Sequence, residues 1–256
     1  NNILIKANMK DIILDIVKHT AGLGFIESAK VTSDDTATTI EAMDPDRTVI
    51  LNATTHSNIS EFNGEFGLGN LTFLNGVLGL NNYQEAETDI QVKTRNMNGE
   101  DVPESLTFED QYGNTDQYRF MSKEIVNQQL RTVKFKGANW DVTVTPTKPK
   151  VSELAQVATI YGTVEPTFSA STDKGNLVFT LGTADGSGHF GKRLFATNVE
   201  GDLKQNWSWP LNQVIGILKL GMSGNCVMKL SDQGALMISI DSGLANYDYI
   251  LPAMSK

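Results

Sequence analysis

The chain has 256 residues, 40% of them hydrophobic, and sets 21 Lys and Arg against 30 Asp and Glu for a formal net charge of -9 at pH 7. That length allows one large domain or two ordinary ones with real cores, and the acidity, taken as an average, favours solubility and repels nucleic acid and anionic membranes. A single cysteine, Cys226, excludes an intramolecular disulfide framework and a cysteine-based zinc site, and no run reaches the roughly 18 apolar residues of a membrane span.

The first strong period is helical. In MKDIILDIVKHT, Met9, Ile12, Ile13, Ile16 and Val17 recur at i, i+3, i+4, i+7 and i+8, with Lys10, Asp11, Asp15, Lys18 and His19 opposite. TATTIEA (36–42) and TVILNAT (48–54) are β-branched runs, and Asp44-Pro45-Asp46-Arg47 between them suits a tight turn. NLTFLNGVLGL (70–80) predicts a second helix, weakened by Gly76 and Gly79. TDIQVKT, ESLTFED and QYRFMS (117–122) then read as a three-strand meander. KEIVNQQLRTVKFKGAN (123–139) has no turn chemistry in its middle and is expected to be an extended linker on a surface.

The second half repeats the order. PKVSELAQVATIYG (149–162) predicts a helix from Pro149 to Gly162, and PLNQVIGILKLG (210–221) another with Leu211, Val214, Ile215 and Leu218 inside. Strands are expected at TFSAS, NLVFTLG and KRLFATN (192–198) between these helices, and at CVMKLS, ALMISID and YDYILPA after them. Trp207 and Trp209 are expected to pack the domain. The matching order of elements predicts a duplicated α+β architecture: two similar domains, 1–123 and 139–256, each with two helices packed on antiparallel sheets and joined by a connector at 124–138.

Chemistry is sparse. His19, His56 and His189 sit in unrelated contexts, so no nucleophilic triad is indicated. GLGNLT lacks the third glycine of a dinucleotide fingerprint, there is no P-loop, and GTADGSGHFG (182–191) reads as a hairpin loop. Around Asp44 and Asp46 only Glu41 adds a carboxylate, too thin a ligand set for a hard cation, so no metal and no cofactor is expected. Four Asn-x-Ser/Thr triplets, at Asn52, Asn58, Asn70 and Asn206, read as chance in an Asn-rich chain with no charged-then-apolar opening, and a cytoplasmic location, in a bacterial host cell if viral, is expected.

Three segments carry a resemblance: MKDIILDIVKHTAGLGFIESAKVTSDDTATTIEAMDPDRTVILNATT, WPLNQVIGILKLGMSGNCVMKLSDQGALMISIDS and ANYDYILPAM. Together with the element order they resemble the DNA sliding clamps of the proliferating-cell-antigen and T4-like bacteriophage type, and the short linker and acidity lean towards a viral member. The resemblance implies a non-enzymatic ring of three identical chains, loaded by an ATP-dependent clamp loader, that encircles double-stranded DNA without reading its sequence and tethers a DNA polymerase.

The resemblance also implies site residues. Lys10, Lys18, Lys148, Lys150 and Lys219 would face the duplex from the helices, since phosphate attraction is long-ranged and carries no sequence information. The second helix carries no Lys or Arg, a departure from many clamps that predicts weak affinity for naked DNA. Met43, Arg47, Val49, Ile125, Leu130, Tyr249, Leu251 and Pro252 would form an outer pocket for a partner's hydrophobic motif. Tyr118, Phe120, Lys192, Leu194 and Phe195 would lie at the subunit contact, where edge strands of neighbouring chains pair. The alternative class is a non-enzymatic structural or carbohydrate-binding β-rich protein, which does not predict helices at matching positions in both halves.

Overall fold

The structure, a computed structural model, describes residues 8–84, 88–131 and 134–254. Contacts divide the chain into two compact units: Asn1–Pro45, Leu51–Val133 and Gly243–Asn246 form the first, and Asp46–Ile50, Lys134–Ser242 and Tyr247–Lys256 the second.

The first unit opens with helix α1 (Met9–Lys18), whose N-terminus is closed by Asn8: its side chain accepts the Asp11 N–H at 2.8 Å. Ile13, Ile16 and Val17 on its inner face are buried, each worth about 1.5–3 kcal/mol of transfer free energy. Strands β1 (Ala29–Ser33), β2 (Thr38–Met43), β3 (Ile50–Thr55) and β4 (Gly64–Leu68) lie in the order β4-β1-β2-β3. Val31 pairs with Ile40 on one side and Phe66 on the other, so alternate residues of three strands bury one face. Helix α2 (Leu71–Leu78) packs against α1, and β5 (Asp89–Met97), β6 (Glu100–Glu109) and β7 (Thr115–Arg119) form a three-stranded antiparallel sheet.

Two expectations are corrected here. QYRFMS does not continue as a strand: β7 ends at Arg119, and Met121 makes an isolated bridge to Gly67 instead. Beyond Ser105↔Arg119 one further bond, from the Phe120 N–H to the Glu104 carbonyl at 2.9 Å, ends the ladder before the chain turns to Gly67. KEIVNQQ is not extended but forms helix α3 (Lys123–Gln129), with Ser122 as its N-cap and Glu124 in its first turn. Val126 and Leu130, four residues apart, are buried. Thr132 and Val133 of that segment lie outside the described residues.

In the second unit, β8 (Val142–Val144) precedes helix α4 (Lys148–Tyr161), and β9 (Thr167–Asp173), β10 (Asn176–Gly182), β11 (Phe190–Ala196) and β12 (Ser208–Pro210) form a sheet ordered β11-β10-β9-β12. Helix α5 (Leu211–Gly221) follows, packed beside α4, and then β13 (Asn225–Ser231), β14 (Ala235–Asp241) and β15 (Ala245–Pro252), which with β8 run in the order β15-β14-β13-β8. Trp209 is buried and its indole donates to the Leu251 carbonyl at 3.0 Å, while Trp207 donates to the Asp232 carbonyl at 2.7 Å. Each unit thus sets a pair of packed helices beside antiparallel sheets.

Candidate nucleic-acid and partner interfaces

The helices present different chemistry in the two units. On α1, Asp11, Leu14 and Lys18 are exposed, with Lys10 and Asp15 half-buried beside them. His19, at its end, is buried, and burial pushes its imidazole below the ordinary range although the Asp15 carbonyl bond and carboxylate pull the other way. The exposed side of α2 carries Thr72, Phe73, Asn75 and Gly76 and no charge. On α4, Lys148 is exposed and Lys150 pairs with Glu153 at 3.5 Å, an exposed contact worth little by itself. On α5, Lys219 is exposed and the helix has no acidic residue.

The eight residues expected to line a partner pocket divide between the units: Met43, Ile125 and Leu130 belong to the first, and Arg47, Val49, Tyr249, Leu251 and Pro252 to the second. Ile125, Arg47 and Pro252 are exposed, whereas Val49, Tyr249 and Leu251 are fully buried and Met43 and Leu130 nearly so. Arg47 sits in the turn with φ +57°, a left-handed conformation uncommon outside glycine and asparagine. Asp44 is buried while Pro45 and Asp46 are exposed.

Of the residues expected at a subunit contact, Lys192 and Leu194 are exposed on β11. Phe195 faces inward and stacks on Phe179 at 4.5 Å between ring centroids. Tyr118 is buried, its hydroxyl donating to the Gly69 carbonyl. Phe120 is half-buried and stacks on Phe66 at 4.4 Å, with Phe62 and Tyr118 edge-on around it. β7 and β11 are both end strands of their sheets.

A feature that sequence reasoning missed is a groove of about 820 Å³ within the first unit, where the tip of the β5–β6 hairpin overhangs the start of α3. Phe66, Phe120, Met121 and Pro103 line it, and Met97 and Ile125 stand exposed at its edge. Glu65 ties its far wall together: its carboxylate accepts from Lys30 at 2.9 Å, Asn127 at 2.8 Å and Lys123 at 3.4 Å. Burial works to raise that carboxyl's pKa, but these bonds outweigh it and hold it below the ordinary range. The overhang, set by a hairpin that outruns its partner β7, could not be read from the sequence.

No protein-family model matches the chain, and no curated protein sequence does. Solved structures do. A proliferating-cell nuclear antigen (PCNA) from A. fulgidus, solved with the C-terminal region of FEN-1 bound, superposes with a TM-score of 0.67 at 8% identity, covering 96% of both chains. PCNA from Thermococcus kodakaraensis gives 0.66 at 11% identity, covering 96% of this chain and 98% of its own. The chain has the sliding-clamp fold. At such identity the likeness is one of fold alone, and the two helix pairs and antiparallel sheets described above are the elements that carry it. Among the described residues of this clamp-fold chain, no helix is long and apolar enough to cross a membrane, and no three His, Cys, Asp or Glu side chains gather as a metal cluster would require.

Proposed function

We propose that this chain is a DNA sliding clamp: three copies close into a ring around duplex DNA and tether a polymerase for processive synthesis. The observation that carries this reading is the clamp fold over 96% of the chain, with a helix pair repeated in each unit. Helices with lysines among their exposed residues would turn to the duplex, since sequence-independent attraction to phosphates lets a ring hold DNA and still slide. Leu80 in the first unit, and Phe190 and Leu194 in the second, are exposed apolar side chains whose hydrophobic surface favours assembly. The unpaired edges of β7 and β11 offer backbone groups for pairing between copies.

The chain itself would do no chemistry. An ATP-driven loader of separate sequence would open the ring, and a short hydrophobic segment of a partner would dock near the exposed Ile125; the A. fulgidus PCNA was solved with the C-terminal region of FEN-1 bound. Ring formation is tested first by solution mass, expected at three times 28.0 kDa, or 84 kDa. Topological hold is tested by loading onto DNA: retention on closed circles and loss from linear duplexes with free ends is expected. A monomer at all concentrations, or equal retention on circles and linear DNA, overturns the reading.

A further inference from the structure

The helix pairs of the two units differ in a way that bears on where DNA is held. In the first unit, the two lysines of α1 are matched by Asp11 and Asp15 on the same helix, and Asp11 shares the exposed side with Lys18. Its neighbour α2 is uncharged, with Phe73, 49% exposed, and Gly76 on its outer side. Phosphate oxygens approaching this pair would meet a carboxylate, an aromatic ring and bare backbone.

In the second unit the outer side of α4 carries Lys148 followed by Ser152, Gln156 and Thr159, all exposed. Its one acid, Glu153, is engaged by Lys150. The packed neighbour α5 adds exposed Asn212 and Lys219, with no acid on the helix. Lysine ammonium groups interspersed with hydroxyl and amide side chains are the donor set that binds phosphate without reading bases. In a chain of net charge -9, α4 and α5 together carry three lysines against one acid.

We propose that the outer face of α4 and α5 supplies the electrostatic hold on double-stranded DNA, while α1 and α2 contribute a near-neutral wall. The proposal rests on the clamp reading for its ligand, and charge complementarity picks the face.

The test is equilibrium binding of the full chain to a short fluorescent duplex across a salt series, read by anisotropy. Lys148→Gln/Lys219→Gln is expected to weaken binding about tenfold at low salt and to flatten the salt slope by about 1–2, whereas Lys10→Gln/Lys18→Gln is expected to lose clearly less, about threefold. Gly76→Lys, which adds a cation to the neutral wall, is expected to steepen the slope by about 1. Equal losses from the two lysine pairs, a larger loss from the α1 pair, or salt-independent binding by the unaltered chain each overturns the proposal. Retention on circular against linear DNA, measured on the same variants, separates failure of this division from failure of the clamp reading, because a ring with no electrostatic hold still stays on a closed circle.

Discussion

A Cβ atom built on Gly67 would lie 2.7 Å from the Cβ of Val126, closer than real carbon atoms approach. Gly67 is therefore the seat on which α3 rests. Its backbone exchanges both hydrogen bonds with Met121, at 2.9 and 2.8 Å, and the missing side chain leaves room for Val126 to bury completely. Gly67→Ala is expected to cost about 1–3 kcal/mol by overpacking. Val126→Gly, which removes the crowding Cβ and Cγ2 together, costs stability alone but should recover part of that loss in the double variant. Denaturant midpoints of all four proteins decide it: strictly additive losses would mean the two positions do not share one space.

Two other glycines are expected to give opposite signs for the same substitution. Gly76 lies within α2 with nothing near its absent side chain, so Gly76→Ala should stabilise by about 0.5–1 kcal/mol through the backbone entropy of the unfolded chain. Gly221 ends α5 with the Cys226 sulfur 2.6 Å from where a Cβ would sit, so Gly221→Ala should destabilise. Thermal melts that move both variants in one direction would contradict the packing described for one of them.

The helices were legible because their apolar residues recur at helical spacing. The periodic run from Met9 and the one from Pro149 both became helices within a residue or two of the expected bounds. β4 was not legible, because Gly64 and Gly67 in GEFGL weaken any strand pattern, and the need for Gly67 comes from Val126, 59 residues later in numbering. α3 was missed because seven residues hold too few turns to show a period. In the candidate interfaces, the charge pattern on α4 and α5 could be read directly from sequence. Alternation along β7 could not say which face was inner: Tyr118 and Phe120 turn into their own unit, and Val49, Tyr249 and Leu251 are buried although strand ends often reach a surface.

Acid stability should fall in two separate windows. His19 is held below its ordinary 6.5 by burial, so the unfolded chain takes up a proton that the folded one refuses, and stability drops as pH falls below about 6.5. Asp110 is lowered from 3.8 to about 2 by hydrogen bonds from the side chains of Asn114 and Asn82 and from the backbone N–H groups of Asn114 and Tyr112. Its contribution is present above pH 3.8 and is lost as pH falls towards about 2. Urea midpoints against pH should flatten in the upper window for His19→Gln and in the lower one for Asp110→Asn. Unchanged profiles in both variants would remove these groups as the cause.

Cys226 should report unfolding. Burial pushes its thiol up to about 11, so near pH 8 the thiolate is roughly one part in a thousand even before access is considered. Modification by a thiol reagent is expected only at the rate at which the second unit opens, rising with urea along the unfolding curve. Fast stoichiometric labelling in native buffer would show that the thiol is reached without unfolding.

The last prediction separates an exposed edge from a buried one. Leu194 is 40% exposed on β11, an end strand, and its neighbour Lys192 is exposed on the same side, two residues away. Both side chains face solvent there, so an apolar contact at Leu194 fits pairing with another copy. Phe120, by contrast, lies among Phe62, Phe66 and Tyr118, and a carboxylate placed there would be desolvated beside aromatic rings with no partner. Leu194→Asp is therefore expected to keep its circular dichroism and melting transition while the species near 84 kDa falls to 28.0 kDa. Phe120→Asp should instead lower the melting temperature of the first unit, and any loss of assembly would follow from that. Sedimentation and melts on both variants distinguish the cases: a Leu194→Asp protein that still sediments as three copies would place the subunit contact elsewhere, and a fully stable Phe120→Asp monomer would show that Phe120 belongs to the contact and not to the core.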